Sequence, residues 1–171
     1  PSQSGNGAIT KQEWMQPGGG ESGYIAIRPD NPNIVYGGAI GSGAGNGRLI
    51  RYNHKTFEER VINVWPEVSL GWPAKDMKYR FQWTFPIVLS PHDPNTLFVG
   101  ANVLFKSTDE GHSWEAISPD LTRAEPQTLE ASGGPITKDS TGAETYATIF
   151  AFAESPVKEG VYWVGTDDGL I

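Results

Sequence analysis

Apolar and polar residues alternate along this chain in short runs, and three of those runs repeat. Ile27-Arg28-Pro29-Asp30-Asn31-Pro32-Asn33-Ile34-Val35-Tyr36-Gly37-Gly38 aligns with Leu89-Ser90-Pro91-His92-Asp93-Pro94-Asn95-Thr96-Leu97-Phe98-Val99-Gly100 and, more loosely, with Ala153 to Gly165. In each copy the first Pro precedes the closing Gly by nine positions, and successive copies are offset by 62 and 65 residues. β-Branched and aromatic residues flanking Pro, Asp and Asn predict a strand, a tight turn and a second strand. Each copy is read as a β-hairpin.

Past the closing Gly, the middle copy continues with an apolar run from Val103 to Lys106, a turn over Ser107 to Ser113, and a fourth run from Trp114 to Ile117. The first copy has equivalent runs at Arg48 to Tyr52 and Glu59 to Val64, around Asn53-His54-Lys55-Thr56. The third copy reaches Ile171 inside its third strand. Tandem four-stranded antiparallel units predict an all-β fold of β-propeller blades, each packing its apolar faces on its neighbours. A sandwich is the alternative, but it has no need to repeat a hairpin sequence.

The expected division is a tail of a preceding blade at 1–20, a blade at 21–83, a second at 84–146 and the first half of a further blade at 147–171. These form one propeller domain of under three blades. A closed propeller has at least about four, so the chain is expected to be a fragment, or a subunit completed by blades from the same parent chain or another subunit. Helix is expected only as a turn or two within Asp120 to Ser132, where Pro126 interrupts it.

Composition agrees with this reading: 21 Gly and 13 Pro make a fifth of the 171 residues, too much turn chemistry for a helical bundle. Six Trp, six Tyr and seven Phe supply enough apolar surface for a core. The net charge of −7, without any run of Lys or Arg, argues against a nucleic-acid partner. No apolar stretch approaches the roughly 18 residues of a membrane span. Cysteine is absent, which excludes disulfides and thiol chemistry.

Ser107-Thr108-Asp109-Glu110-Gly111-His112-Ser113-Trp114 carries Ser-x-Asp-x-Gly-x-x-Trp between the third and fourth strands. This pattern resembles the Asp box, the bacterial neuraminidase repeat of sialidases, xyloglucanase-like glycosidases and sortilin-like propellers. The resemblance implies a propeller of the sortilin-like or glycosyl-hydrolase-like type and an extracellular or periplasmic location. Physically, Asp109 can accept hydrogen bonds from its own turn, Gly111 permits positive φ and Trp114 packs on the blade, so Ser107, Asp109, Gly111 and Trp114 are assigned a structural role. Asp168-Gly169 is read as a two-residue hairpin turn. The arginine of Arg28-Pro29 belongs to the repeated turn, and no arginine triad supports sialidase activity.

Connectivity sorts the loops: turns between strands one and two and between three and four share one face of an up-and-down blade. The opposite face carries three long insertions, at Ala39 to Gly47, Trp65 to Trp83 and Pro119 to Tyr146, and binding groups are expected there. Candidate ligand-binding residues are Trp72, Lys75, Tyr79, Arg80, Trp83, Lys138 and Tyr146, because aromatic faces beside polar donors suit sugar rings or peptide side chains. Asp76 and Asp139 are the speculative acid–base pair of a glycosidase. The Gly-rich run at 41–47 lacks the following helix of a phosphate cradle. His54, His92 and His112 lack metal-ligand spacing, and no serine has a nucleophile-elbow context, so no metal, cofactor or acyl-transfer triad is expected.

Three functions fit these residues. The first is a segment of an exported propeller that binds glycan or peptide through its crossover-loop face. The second is part of a glycoside hydrolase whose carboxylates lie partly outside the chain. The third is a purely structural surface or assembly protein.

Overall fold

A computed structural model describes residues 23–39, 47–134, 136–142 and 145–171. The expected tail at 1–20 and the Gly-rich run before Gly47 lie outside the described residues. The chain is all-β. Strands β1 (Ile25–Ile27), β2 (Ile34–Ala39), β3 (Arg48–Asn53) and β4 (Glu58–Val61) form one four-stranded sheet in chain order. A second sheet holds β5 (Ile87–Leu89), β6 (Leu97–Gly100), β7 (Leu104–Ser107) and β8 (Glu115–Ala116), and β9 (Ile149–Glu154) pairs with β10 (Tyr162–Thr166). All pairings are antiparallel. These are two propeller blades and the leading hairpin of a third.

The repeated sequence specifies a repeated geometry. Each hairpin is closed by the same bond, Arg28 N to Ile34 O at 3.1 Å, Ser90 N to Thr96 O at 2.9 Å and Ser155 N to Val161 O at 2.8 Å. Inside the first two, the Asn31 and Asp93 side chains accept from the N–H of Asn33 and Asn95, which is the local bond that suits Asn and Asp to turns. The closing glycines have a separate cause. A Cβ on Gly38 would lie 3.2 Å from Ile87 Cδ1, and one on Gly100 would lie 2.9 Å from Ile149 Cγ2. At both positions, absence of a side chain lets the first strand of the next blade approach.

The middle sheet is buried on both faces, and period-2 alternation divides its side chains between them. Leu97, Val99 and Phe105 join Ala26, Ile34, Tyr36, Leu49 and Ile62 of the first sheet in one apolar cluster. Phe98 and Leu104 face the other way, onto Ile149, with Phe152 and Val164 packed alongside. Ring contacts extend both seams: Phe98 lies 5.2 Å from Phe152, and Tyr79 meets Phe105 edge-on at 4.8 Å.

Polar ties cross the same seams. From the turn after β7, Glu110 accepts from Arg28 Nη1 at 2.9 Å and from Arg51 Nε at 2.6 Å, while its carbonyl accepts from Arg60 Nη2 at 2.7 Å. Trp114 Nε1 donates to Ile62 O at 3.1 Å. The turn is itself fixed by Asp109, which accepts from the Ser113 hydroxyl, the Ser113 N–H and the Ser107 hydroxyl at 2.6, 2.9 and 2.8 Å. At the second seam the Ser90 hydroxyl donates to Glu154 at 2.5 Å, and His92 Nε2 lies 2.8 Å from Ser155 O.

Two local expectations are corrected. Pro126 opens a 3-10 turn, Pro126–Thr128, instead of breaking a helix, because its missing N–H has no partner to lose at a first helical position. A second 3-10 turn, Ala74–Asp76, lies in the insertion from Trp65 to Trp83. Asp168-Gly169 is not a two-residue turn: Thr166 N donates to Leu170 O at 3.0 Å, so three residues are enclosed, with Gly169 at φ +89°. The Thr166 hydroxyl donates to Asp168 and accepts from Leu170 N, as the Ser107 hydroxyl donates to Asp109 and accepts from Gly111 N.

Gly100→Ala is expected to cost about 1–3 kcal/mol through overpacking against Ile149, whereas Gly165→Ala, whose new Cβ meets only Ala151 at 3.7 Å, stays within about 0.5 kcal/mol. Urea unfolding of the two variants measures the difference, and equal costs would refute the close-approach account. Hydrogen bonds from Ser113, first its hydroxyl and then its N–H, and from Ser107 hold the Asp109 carboxyl far below the usual carboxylate range. The folded chain thus binds a proton there less readily than the unfolded chain. That contribution is complete above about pH 4 and is lost as the pH falls toward the folded value. In Asp109→Asn the acid limb of stability against pH becomes shallower, as urea midpoints taken from neutral pH into acid will show; a limb parallel to wild type rejects the assignment.

Candidate functional site

Two crossover insertions, one from β4 to β5 and the other from β8 to β9, meet on the same side of the molecule. Backbone bonds join them: Gly71 N donates to Ser140 O at 2.7 Å and Lys75 N to Leu129 O at 3.1 Å. Lys75 Nζ adds an ion pair with Glu130 at 2.6 Å, which raises the ammonium's pKa. A Cβ on Gly142 would lie 2.8 Å from Ser69 Oγ, so the second insertion rests directly on the first.

Between them lies a cavity of about 180 Å3. Trp72 and Met77 from the first insertion and Glu130, Asp139, Thr145 and Tyr146 from the second are among its walls. Trp72 and Tyr146 are 42% and 44% exposed, so both keep ring surface available to a ligand. Thr145 is 4% exposed, and its Oγ1 has no hydrogen-bond partner. Buried Ser69 Oγ is likewise unpartnered. Both oxygens are closed to solvent, so their lack of partners among the described residues is a packing cost. A second cavity of about 250 Å3 shares Thr128 and Tyr146 with the first and is bounded further by Arg123, Glu125 and Asp168. The two adjoin at Thr128 and Tyr146 and together make one groove.

Of the residues proposed from sequence, the structure brings together Trp72, Tyr146 and Asp139. Lys75 stands behind the wall, paired with Glu130. Lys138 is exposed, its backbone bridged to Gly133, and is not a cavity residue. Tyr79 packs inward, edge-on to Trp65 and Phe105 at 5.8 and 4.8 Å. Arg80 is 6% exposed and spends its guanidinium on Ala147 O, Asp120 and Thr122 at 3.0, 2.7 and 3.0 Å. That makes it a post beneath the insertions, away from the cavity. Trp83 is half-buried and is not a wall of either cavity. Asp76 sits exposed on the 3-10 turn outside the walls, so the Asp76–Asp139 pair does not line one cavity; Glu130 is the second carboxylate there. Glu144 lies outside the described residues.

Sequence reasoning missed Glu130, Thr145 and Arg123. Nothing in the local pattern distinguishes Glu130 from other exposed acids, because its partner Lys75 is 55 positions away. Among the described residues no group of three or more His, Cys, Asp or Glu is arranged to hold a metal ion. No helix of the described residues is long and apolar enough to cross a membrane.

No family model matches this sequence, and no curated protein does. Among solved structures, the chain is similar to the crystal structure of an ancestral GH74 enzyme, with a TM-score of 0.39 and 21% identity over 56% of this chain. The match spans 13% of that enzyme's own length.

Proposed function

We propose that this chain is the glycan-binding part of an exported β-propeller protein, and that the groove between its two long crossover insertions is the binding site. The observation that carries this reading is the meeting of Trp72 and Tyr146, exposed ring faces, with the carboxylates Glu130 and Asp139 around one cavity. Pyranose rings present apolar C–H faces and a rim of hydroxyls, and a wall of ring faces, carboxylates and hydroxyls complements both. A peptide is less well served, because these walls offer side chains and no free strand edge along which a backbone can pair.

A hydrolytic reading has one observation in its favour, the two carboxylates in a single cavity. Against it, Glu130 is held by Lys75, and both Glu130 and Asp139 are exposed. Neither has the apolar enclosure in which a glycosidase keeps the proton of its general acid. Binding without turnover is the function these residues support best.

Trp72→Ala and Tyr146→Ala are each expected to weaken oligosaccharide binding about tenfold, the loss of one aromatic contact, with little change in unfolding midpoint. Titration calorimetry against a panel of tetrasaccharides measures this. Unchanged affinity in both variants removes the site. Release of reducing sugar that disappears in Asp139→Ala establishes the hydrolytic reading instead.

A further inference from the structure

We infer that the glycan is recognised through a protonated amine, an amino sugar seated between Trp72, Tyr146 and the Asp139 carboxylate; this rests on the glycan reading above. Asp139 uses its backbone N–H on Ser132 O at 3.0 Å, while no hydrogen bond or ion pair among the described residues engages its carboxylate. It stands in the wall of a cavity that also carries Glu130, of which Lys75 occupies Oε2 alone. No Lys or Arg lines that cavity, and the chain as a whole carries a net charge of −7. A ligand that brings its own positive charge is attracted to such a wall, and an anionic one is repelled.

The rings point to the same chemistry. A cation over an indole or phenol face gains from the ring quadrupole. This insertion already shows the arrangement internally, where Lys78 Nζ lies 3.8 Å above the centre of Trp65. Trp72 and Tyr146 have no such cation among the described residues. A volume of about 180 Å3 is well beyond the roughly 10–15 Å3 that one water needs, so the cavity admits more than solvent alone. The adjoining cavity beyond Tyr146 takes the next unit of the chain.

Calorimetry of the intact chain with a glucosamine tetramer, its fully N-acetylated counterpart, cellotetraose and tetralysine tests the inference. The glucosamine tetramer should bind most tightly, and both N-acetylation and Asp139→Asn should weaken it by about tenfold, the loss of one charge-assisted hydrogen bond. Raising the pH through the titration of the ligand amine should weaken the glucosamine tetramer and leave cellotetraose unaffected. Asp76→Asn, exposed and outside the cavity, removes the same charge and should change nothing. Equal affinity for the three sugars, with Trp72→Ala weakening all of them, overturns the amine and leaves glycan binding standing. Asp139-dependent binding of tetralysine with no sugar bound overturns both readings.

Discussion

At the first seam Glu110 reaches two buried guanidinium groups, and one of them, Arg28, is also held at two points by Asp30 of its own turn, at 3.0 and 2.7 Å. Arg28 and Arg51 have side chains only 8% and 11% exposed, and Glu110 reaches both. Buried cations are tolerated only when neutralised and hydrogen-bonded, so burying Arg51 at this seam requires Glu110 to be aimed correctly. Its aim comes from the turn that carries it. Glu110 and Gly111 both have left-handed backbones, at φ 58° and 79°, a conformation that disfavours a residue with a side chain. Asp109 holds that conformation by gathering Ser107 and Ser113 around one carboxylate. The turn from Ser107 to Trp114 is thus a staple twice over: inward it fixes its own conformation, and outward it presents Glu110 and Trp114 to the preceding sheet.

The second seam reaches the same end by other means. Where the first repeat has Arg28, the second has Ser90, and the matching carboxylate is Glu154 on the arriving strand β9. One neutral hydroxyl replaces a guanidinium, and the Glu154 carboxylate is met by that hydroxyl and by the Gly160 N–H at 3.0 Å. The conserved element between the seams is steric, since Gly38 receives Ile87 as Gly100 receives Ile149. Repeat geometry here is carried by an absent side chain, while the polar ties differ from seam to seam.

This explains what was legible in the sequence. Hairpins, sheet order and blade count follow from period-2 alternation and from turn residues with local bonds, and both are properties of neighbouring positions. The fourth strands came out shorter than their apolar runs, although Ile62 and Ile117 still donate to Leu49 O and Leu104 O at 2.9 Å, and Val64 and Ile117 pack as partly buried residues against the clusters. The candidate site was legible in location only. Alternating aromatic and charged residues over 65–83 look the same whether a ring turns inward, as Tyr79 does onto Phe105, or outward, as Trp72 does. Arg80 shows the difficulty most clearly: flanked by Tyr79 and Phe81 it reads as a ligand group, yet its partners Asp120 and Ala147 lie 40 and 67 positions on.

Those long-range partners also account for how loop residues can make a defined groove. Each insertion leaves the outer strand of one sheet and returns at the inner strand of the next, so it spans a seam and inherits that seam's rigidity. Arg80 then ties the two insertions at their base. Its N–H donates to Asn102 Oδ1 at 2.9 Å, Asn102 Nδ2 donates to Asp120 at 2.8 Å, and Arg80 Nη2 closes the ring on the same Asp120 oxygen at 2.7 Å. Asp120 is partly buried, yet hydrogen bonds from Thr122, Asn102 and Arg80 outweigh that burial and keep it ionised below the usual range. A charged network that is satisfied at every member resists rearrangement. Above it, Gly71 to Ser140 and Lys75 to Leu129 set the separation of Trp72 from Asp139 and Tyr146. Ring faces and carboxylates held apart by main-chain bonds need little ordering when a ligand arrives, and that pre-organisation is what a binding site built on irregular loops requires.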